Sequence, residues 1–342
     1  MQSFHCLGCG QAAYLRNDWC ARCQAPLGFS PEHWAFMPLE AAQAEGLRPC
    51  AHRATGLCNW LVSADDTHEH CISCRMTECL PALGRTEVDR PVYRLELAKR
   101  RLLLSLRELG LPALPGETRQ PLRFAFLEDL PDQPAVITGH AQGLITVNIK
   151  EGDPRQRLDE QLAMGEPQRT LLGHLRHESG HFYWDEWIGA DAGWQTRFRE
   201  LFGDEQLDYA QALAEHHAHP RPWDPLRPEG AISRYALAHP WEDWAETWAH
   251  YLLMVDALSE TALGEDQDEA LRTTQASKLA GHLVRDTELN DLVNTWLQRA
   301  RDGNALNRAL GLPDAYPFVI DEGVRAKLGF VHELVREQAC AR

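Results

Sequence analysis

His177-Glu178-Ser179-Gly180-His181 is the stretch on which the reading of this chain turns. Histidines four apart lie one above the other on one helix face, so both imidazoles can reach a single metal ion. The carboxylate between them is then placed to reach a water on the metal rather than the metal itself. Two neutral nitrogen ligands beside a carboxylate base is the arrangement used for zinc-assisted hydrolysis of amides. The same five letters also arise by chance, as a surface helix with two unpaired histidines, so the surroundings decide.

Those surroundings favour a buried helix. Pro167 suits a first helical position and Gly189 a stop, which predicts a helix from Pro167 to about Trp187. Leu171, Leu172, Leu175, Phe182 and Trp184 make it apolar. Upstream, Leu122–Leu127 and the alternating, β-branched Gly143–Ile149 read as strands. A strand ahead of the helix is what a zincin-type site needs, because a backbone edge can pair with an extended peptide. His174, three residues before His177, reads as a packing or supporting histidine, since the motif already supplies the helix's two ligands.

The third ligand has to come from elsewhere. A metzincin-like histidine would fall six residues after His181, where Trp187 stands, and the glycine of that pattern is replaced by Trp184. Asp191 lacks the pattern around an aspartate ligand. A later helix opening at Pro240 remains. Trp241, Trp244, Trp248, Tyr251 and Leu252 form its apolar stripe, and Glu242, Glu246 and His250 a polar row spaced by four. Tryptophan on both sides argues that the row is buried, and buried carboxylates need a metal or hydrogen-bonding partners.

HESGHFYWD, LFGDEQLDYAQAL and HPWEDWAETWAHYL together resemble a family of bacterial zinc-binding metallopeptidases with an N-terminal zinc-ribbon region. The resemblance runs from Cys6 to about Leu263 and implies a gluzincin-like fold. A more distant similarity is to the lethal-factor-like gluzincins, in which a tyrosine lies seven residues before a Glu-x-x-x-Glu helix motif. Tyr235 stands seven before Glu242, and Glu246 completes the motif. The resemblance therefore implies Glu242 as third metal ligand, Tyr235 as a hydroxyl near the scissile carbonyl, and Glu246 as support for a ligating histidine.

Cysteine spacing carries the second strong signal. Cys6-x2-Cys9 and Cys20-x2-Cys23 supply four thiolates for tetrahedral structural zinc. Cys50, Cys58, Cys71 and Cys74 form a second set whose first pair is widely spaced, with His52, His68, His70 and Cys79 near enough to substitute. Disulfides fit poorly, because the spacing is that of metal sites and no export signal is read. Reduced thiols without such a signal give a cytoplasmic expectation.

At 342 residues the chain has room for about two units. The reading is a zinc-ribbon region at 1–84 with two structural zincs, then a zincin-like domain at 85–342 with one catalytic zinc. The fold class is α+β, mostly helical after a small sheet. Net charge is -16, and the ribbon region is itself slightly acidic, which argues against nucleic acid as partner. No apolar run approaches the roughly 20 residues needed to span a bilayer. Val92–Leu109 reads as an amphipathic helix whose Lys99-Arg100-Arg101 run is a solvated face. Further helices are read at Trp194–Phe202, Gln206–His217, Pro240–Leu258, Lys278–Ala300 and Val324–Arg336, with 218–232 a proline-rich surface loop near the cleft. The expected activity is zinc-dependent peptide hydrolysis with Glu178 as general base, acting on a peptide or protein substrate. The rival is a non-catalytic adaptor that binds a protein partner through its ribbons.

Overall fold

A computed structural model describes residues 3–114, 116–164, 170–219, 221–265 and 279–340. The chain opens with three two-stranded antiparallel sheets: β1 (Ser3–His5) with β2 (Ala12–Tyr14), β3 (Leu27–Ser30) with β4 (Ala35–Pro38), and β5 (Leu47–Pro49) with β6 (Leu61–Ser63). Two short helices, α1 (Leu39–Ala44) and α2 (Ile72–Arg75), lie among them. Strands this short cannot hold themselves together. They gather around an aromatic nucleus in which the Phe29 ring lies 4.8 Å from Phe4, 5.3 Å from Phe36 and 5.3 Å from Trp60. Six cysteines, Cys6, Cys20, Cys50, Cys58, Cys71 and Cys74, are buried in that same cluster.

The next strand, β7 (Thr77–Cys79), belongs to a different sheet. It pairs in parallel with β8 (Arg123–Leu127), which pairs in parallel with β10 (Leu144–Asn148), and β9 (Gly139–Ala141) closes the other edge antiparallel to β10. Ile145 and Val147 alternate inward, and Phe124 and Phe126 are fully buried, so one face packs on the core. The sheet thus draws its first strand from the segment preceding residue 85.

Between β7 and β8 runs α3 (Thr86–Glu108), which begins six residues before the expected Val92 and carries Pro91 in its second turn. Its Lys99 and Arg100 are wholly buried, which overturns the solvated-face reading. Lys99 Nζ donates to Ser73 O at 2.8 Å and to Glu96 Oε1 at 2.9 Å, and Arg100 Nη1 donates to Leu57 O at 2.8 Å. Both cations face the backbone that carries the second cysteine set, and Glu96, 2.9 Å from Lys99 and 3.8 Å from Arg100, supplies a counter-charge inside the protein.

After α4 (Pro154–Met164) comes α5 (Leu171–Tyr183), the helix of the motif. Its expected start at Pro167 lies outside the described residues; Thr170 caps it, accepting from Gly173 N at 2.9 Å. One π-turn, Trp184–Ile188, extends it to Gly189. Then follow α6 (Ala192–Phe202), α7 (Tyr209–Ala218) and α8 (Pro240–Glu265). The single helix expected from Lys278, itself outside the described residues, is two helices, Leu279–Asp286 and Leu289–Ala309, and a last helix spans Glu322–Cys340. Asp191, set aside as a ligand, caps α6 by accepting from Trp194 N at 2.9 Å.

α5 and α8 approach closely because Gly180 has no side chain. A Cβ there would stand 3.0 Å from Ala245 Cα and 3.1 Å from Trp248 Cδ1. Trp244 Nε1 donates to Gly180 O at 2.7 Å and Trp248 Nε1 to Ser179 Oγ at 3.0 Å, locking the register of the two helices. Asp256 adds a tie, accepting from Arg176 of α5 and from Ser105 of α3. Among the described residues no helix is long and apolar enough to cross a membrane.

Candidate metal centre and active site

The register of α5 against α8 sets His177 and His181 across from Glu242, and donor atoms of these three buried residues lie within 4.8 Å of one another. His177 Nε2 is 2.9 Å from Glu242 Oε2 and His181 Nε2 is 3.6 Å from Glu242 Oε1. Adjacent donors of a tetrahedral zinc shell are separated by about 3.3 Å, given Zn–N and Zn–O bonds near 2.0 Å. The set therefore fits that ion. Glu242 Oε2 also lacks a well-aligned hydrogen bond although buried, as expected of an oxygen kept for a metal.

Each donor has a neighbour that aims it. His177 Nδ1 is 2.7 Å from Glu246 Oε1, and a proton donated there leaves Nε2 as the lone pair facing Glu242. The Trp241 ring covers His181 at 4.0 Å. Tyr209 donates its hydroxyl to Glu242 Oε1 at 2.5 Å. Burial opposes ionisation of both His177 and Glu242, yet their mutual contact, with Glu246 on one side and His181 on the other, reverses it. His177 is held well above its ordinary pKa and Glu242 well below.

Glu178 sits beside the donors. Its Oε1 lies 3.2 Å from His174 Nε2, while Oε2 has no partner. His174 Nδ1 reaches Glu151 Oε2 at 2.6 Å, and Glu151 Oε1 accepts from Thr138 at 2.5 Å. Burial works against the His174 charge, but Glu151 and Glu178 outweigh it and push its pKa up to about 10. Burial likewise works against the Glu178 carboxylate, and the contact with His174 and the charge of His177 keep it below the usual range. The supporting histidine expected at 174 therefore supports Glu178, not the metal donors.

Tyr235 occupies a single 3-10 turn ahead of α8, its ring 5.8 Å from that of His177. Burial and then the Glu242 charge push its pKa up, so the phenol keeps its proton. These groups open into a cleft of about 920 Å³, whose lining also includes Thr138 and Gly139 beside the edge strand and Trp223 of the proline-rich loop. His250, third of the polar row, stays neutral through burial, its pKa down at about 4, and lies 3.1 Å from the Tyr316 hydroxyl.

The cysteines form two further clusters, Cys6, Cys9, Cys20, Cys23 and Cys50, Cys58, Cys71, Cys74. Cys6 and Cys23 Sγ are 3.8 Å apart, Cys9 and Cys20 3.6 Å, and Cys58 and Cys71 3.7 Å. A tetrahedral zinc with Zn–S bonds near 2.3 Å requires about 3.8 Å. Cys79 is exposed in β7, and His52 and His70 meet edge to face at 4.3 Å; the second cluster closes without them.

Sequence reasoning left out Tyr209, Glu151 and Thr138. Tyr209 was present only as part of the motif LFGDEQLDYAQAL, without a role, and nothing local marks the other two.

Residues 90–334 match the model of the family described as "Putative zinc-binding metallo-peptidase", and residues 3–85 match a zinc-ribbon domain. The chain belongs to this zinc-binding metallopeptidase family. It is 38% identical to the uncharacterized protein Mb2598c of Mycobacterium bovis and to the uncharacterized protein Rv2568c of Mycobacterium tuberculosis, each alignment covering 99% of this chain and 96% of the relative. No solved structure matches it.

Proposed function

We propose that the protein is a zinc-dependent peptidase with three metal sites: one held by His177, His181 and Glu242, and one structural site in each cysteine cluster. The observation that carries the proposal is Glu178, which lines the same cleft as the donor set and has one oxygen anchored by His174 while the other, buried, has no hydrogen-bond partner among the described residues. Zinc in such a site supplies a Lewis acid that makes water a usable nucleophile near neutral pH. The free Glu178 oxygen takes the proton of the attacking water and passes it to the leaving amine. Tyr235, which keeps its proton, donates to the oxygen on which charge develops. Glu246 fixes the His177 tautomer and Tyr209 the Glu242 carboxylate, so neither donor has to reorganise. The substrate is a peptide or protein. The region 1–84 is proposed as the zinc-bearing ribbon unit and 85–342 as the catalytic unit.

The test combines metal content with hydrolysis of an unselective peptide library. The wild type should hold three zinc ions and cleave. Glu178→Gln should hold three and cleave on the order of 10²–10⁴-fold more slowly. Glu242→Ala should lose one ion and the activity with it. A zinc-loaded wild type that cleaves nothing would favour the adaptor reading instead.

A further inference from the structure

The lysine and arginines lining the cleft are paired with carboxylates, with one exception. Lys150 is paired with Asp129, and Arg176 with Asp256. Glu151 and Glu178 share His174, and Glu242 and Glu246 share His177. Arg234 also lines the cleft, and among the described residues no carboxylate lies within ion-pairing distance of it. It is exposed and immediately precedes Tyr235.

Other basic residues stand on the side of Arg234 away from the carboxylates. The His216 ring lies 6.1 Å from that of Tyr235, which is itself 5.8 Å from that of His177. His216 is depressed first by burial and then by His217, Arg221 and Arg234, with no carboxylate acting the other way. A histidine lowered in this way is neutral near pH 7, so the positive charge felt at this end of the cleft is that of Arg234 and Arg221, in a chain with 50 acidic and 34 basic residues. An arginine fork has donors for both oxygens of a carboxylate.

We infer that Arg234 sets the specificity of the cleft, and that the preferred substrate presents a carboxylate to it. That carboxylate is an acidic side chain or the free C-terminus of the peptide. The inference rests on the peptidase reading for the word substrate, but the carboxylate subsite can be measured without hydrolysis.

The experiment uses the zinc-loaded full chain and matched peptides that differ only as Glu against Gln, or as C-terminal acid against C-terminal amide. In one of the two comparisons the carboxylate should raise kcat/KM by about 10–100-fold, the worth of a charge-assisted hydrogen bond. The preference should shrink as salt is added. Arg234→Gln should bring the ratio close to one, Arg234→Lys should keep part of it, and Arg234→Glu should turn it toward peptides carrying Lys, with zinc content unchanged in all three. Binding of the same peptides to zinc-loaded Glu178→Gln protein and to its Arg234→Gln double variant, followed by calorimetry, gives the readout without turnover. Binding that depends on carboxylate and on Arg234, in a protein whose wild type cleaves nothing, would sink the peptidase reading and sustain the subsite. Cleavage with no carboxylate preference, a preference that survives Arg234→Gln, or neither cleavage nor binding would each overturn the inference.

Discussion

His174 shows how a residue can be noticed in a sequence and still have its role hidden. Its spacing from His177 marks it as part of the motif's face, but its partner Glu151 lies 23 positions earlier, and only the fold brings the two to 2.6 Å. The chain Thr138–Glu151–His174–Glu178 holds one oxygen of the proposed base, and among the described residues the other has no hydrogen-bond partner. His174→Ala should therefore keep zinc and lower kcat by about 10–100-fold, the effect of losing a supporting contact. It should also cost about 2 kcal/mol of stability near neutral pH, the scale of hydrogen bonds to charged groups. The sign with pH follows from the raised pKa. A histidine moved from 6.5 to about 10 contributes fully below 6.5 and loses the contribution as pH climbs through 10. The gap in urea midpoint between wild type and His174→Ala should narrow from pH 7 to pH 10, and a gap that widens would contradict the ion-pair account. His177 and His181 were legible because helical spacing shows which residues share a face, whereas spacing gave only the row Glu242, Glu246 and His250, and the family resemblance singled out Glu242. Tyr209 was not, because it meets Glu242 across 33 residues with no periodicity to connect them.

At the level of elements, the site depends on how closely α5 and α8 pack, and that distance is set by Gly180. Its position inside HExxH makes it look like a spacer, yet the Cβ contacts of 3.0 and 3.1 Å show a helix face with no room for a branch. Gly180→Val should cost about 1–3 kcal/mol through overpacking and push His177 and His181 away from Glu242. The measurement is a thermal melt beside a zinc titration. Lower stability together with weaker binding of one zinc is expected, whereas lower stability with unchanged zinc affinity would mean that the helix pair yields elsewhere. Helices with strong apolar stripes were readable to within a few residues, as at Pro240. The start of α3 was obscured by Pro91, which ordinarily argues against a helix interior. β7 and β9 are three residues each, too short for alternation to show. Lys99 and Arg100 were misread because a basic run is ordinarily solvated, and only the tertiary structure supplies the carbonyls and Glu96 that accept from them.

Over the whole molecule, the same contacts determine whether the zinc-ribbon region and the rest of the chain can be separated. A cut near residue 84 would take away nearly all of the zinc-ribbon match, residues 3–85. It also removes β7, leaving the β8 backbone as an open edge. It takes away Ser73 O and Leu57 O, the acceptors of the buried Lys99 and Arg100. A zinc bound by four thiolates carries a net charge of about two minus, and burial's depression of Arg100 is outweighed first by Cys58, then Glu96, Cys74 and Cys71. Removing that segment takes those acceptors and that counter-charge from Lys99 and Arg100 and strips the main core of Leu57 and Met76, a large share of any domain's marginal stability. A chain beginning at Arg85 should therefore be insoluble, or melt far below the full chain and bind its remaining zinc weakly. Arg100→Gln in the full chain offers the finer version, since it removes one charge and leaves the sheet intact. Zinc should leave the Cys50 cluster faster under a chelator while the Cys6 cluster is unaffected, and both the zinc release and the thermal midpoint of the whole chain should report it. If the Arg85 chain folds, retains its zinc and melts like the parent, the ribbon is a separable module and the buried Lys99 and Arg100 are no obstacle to its removal.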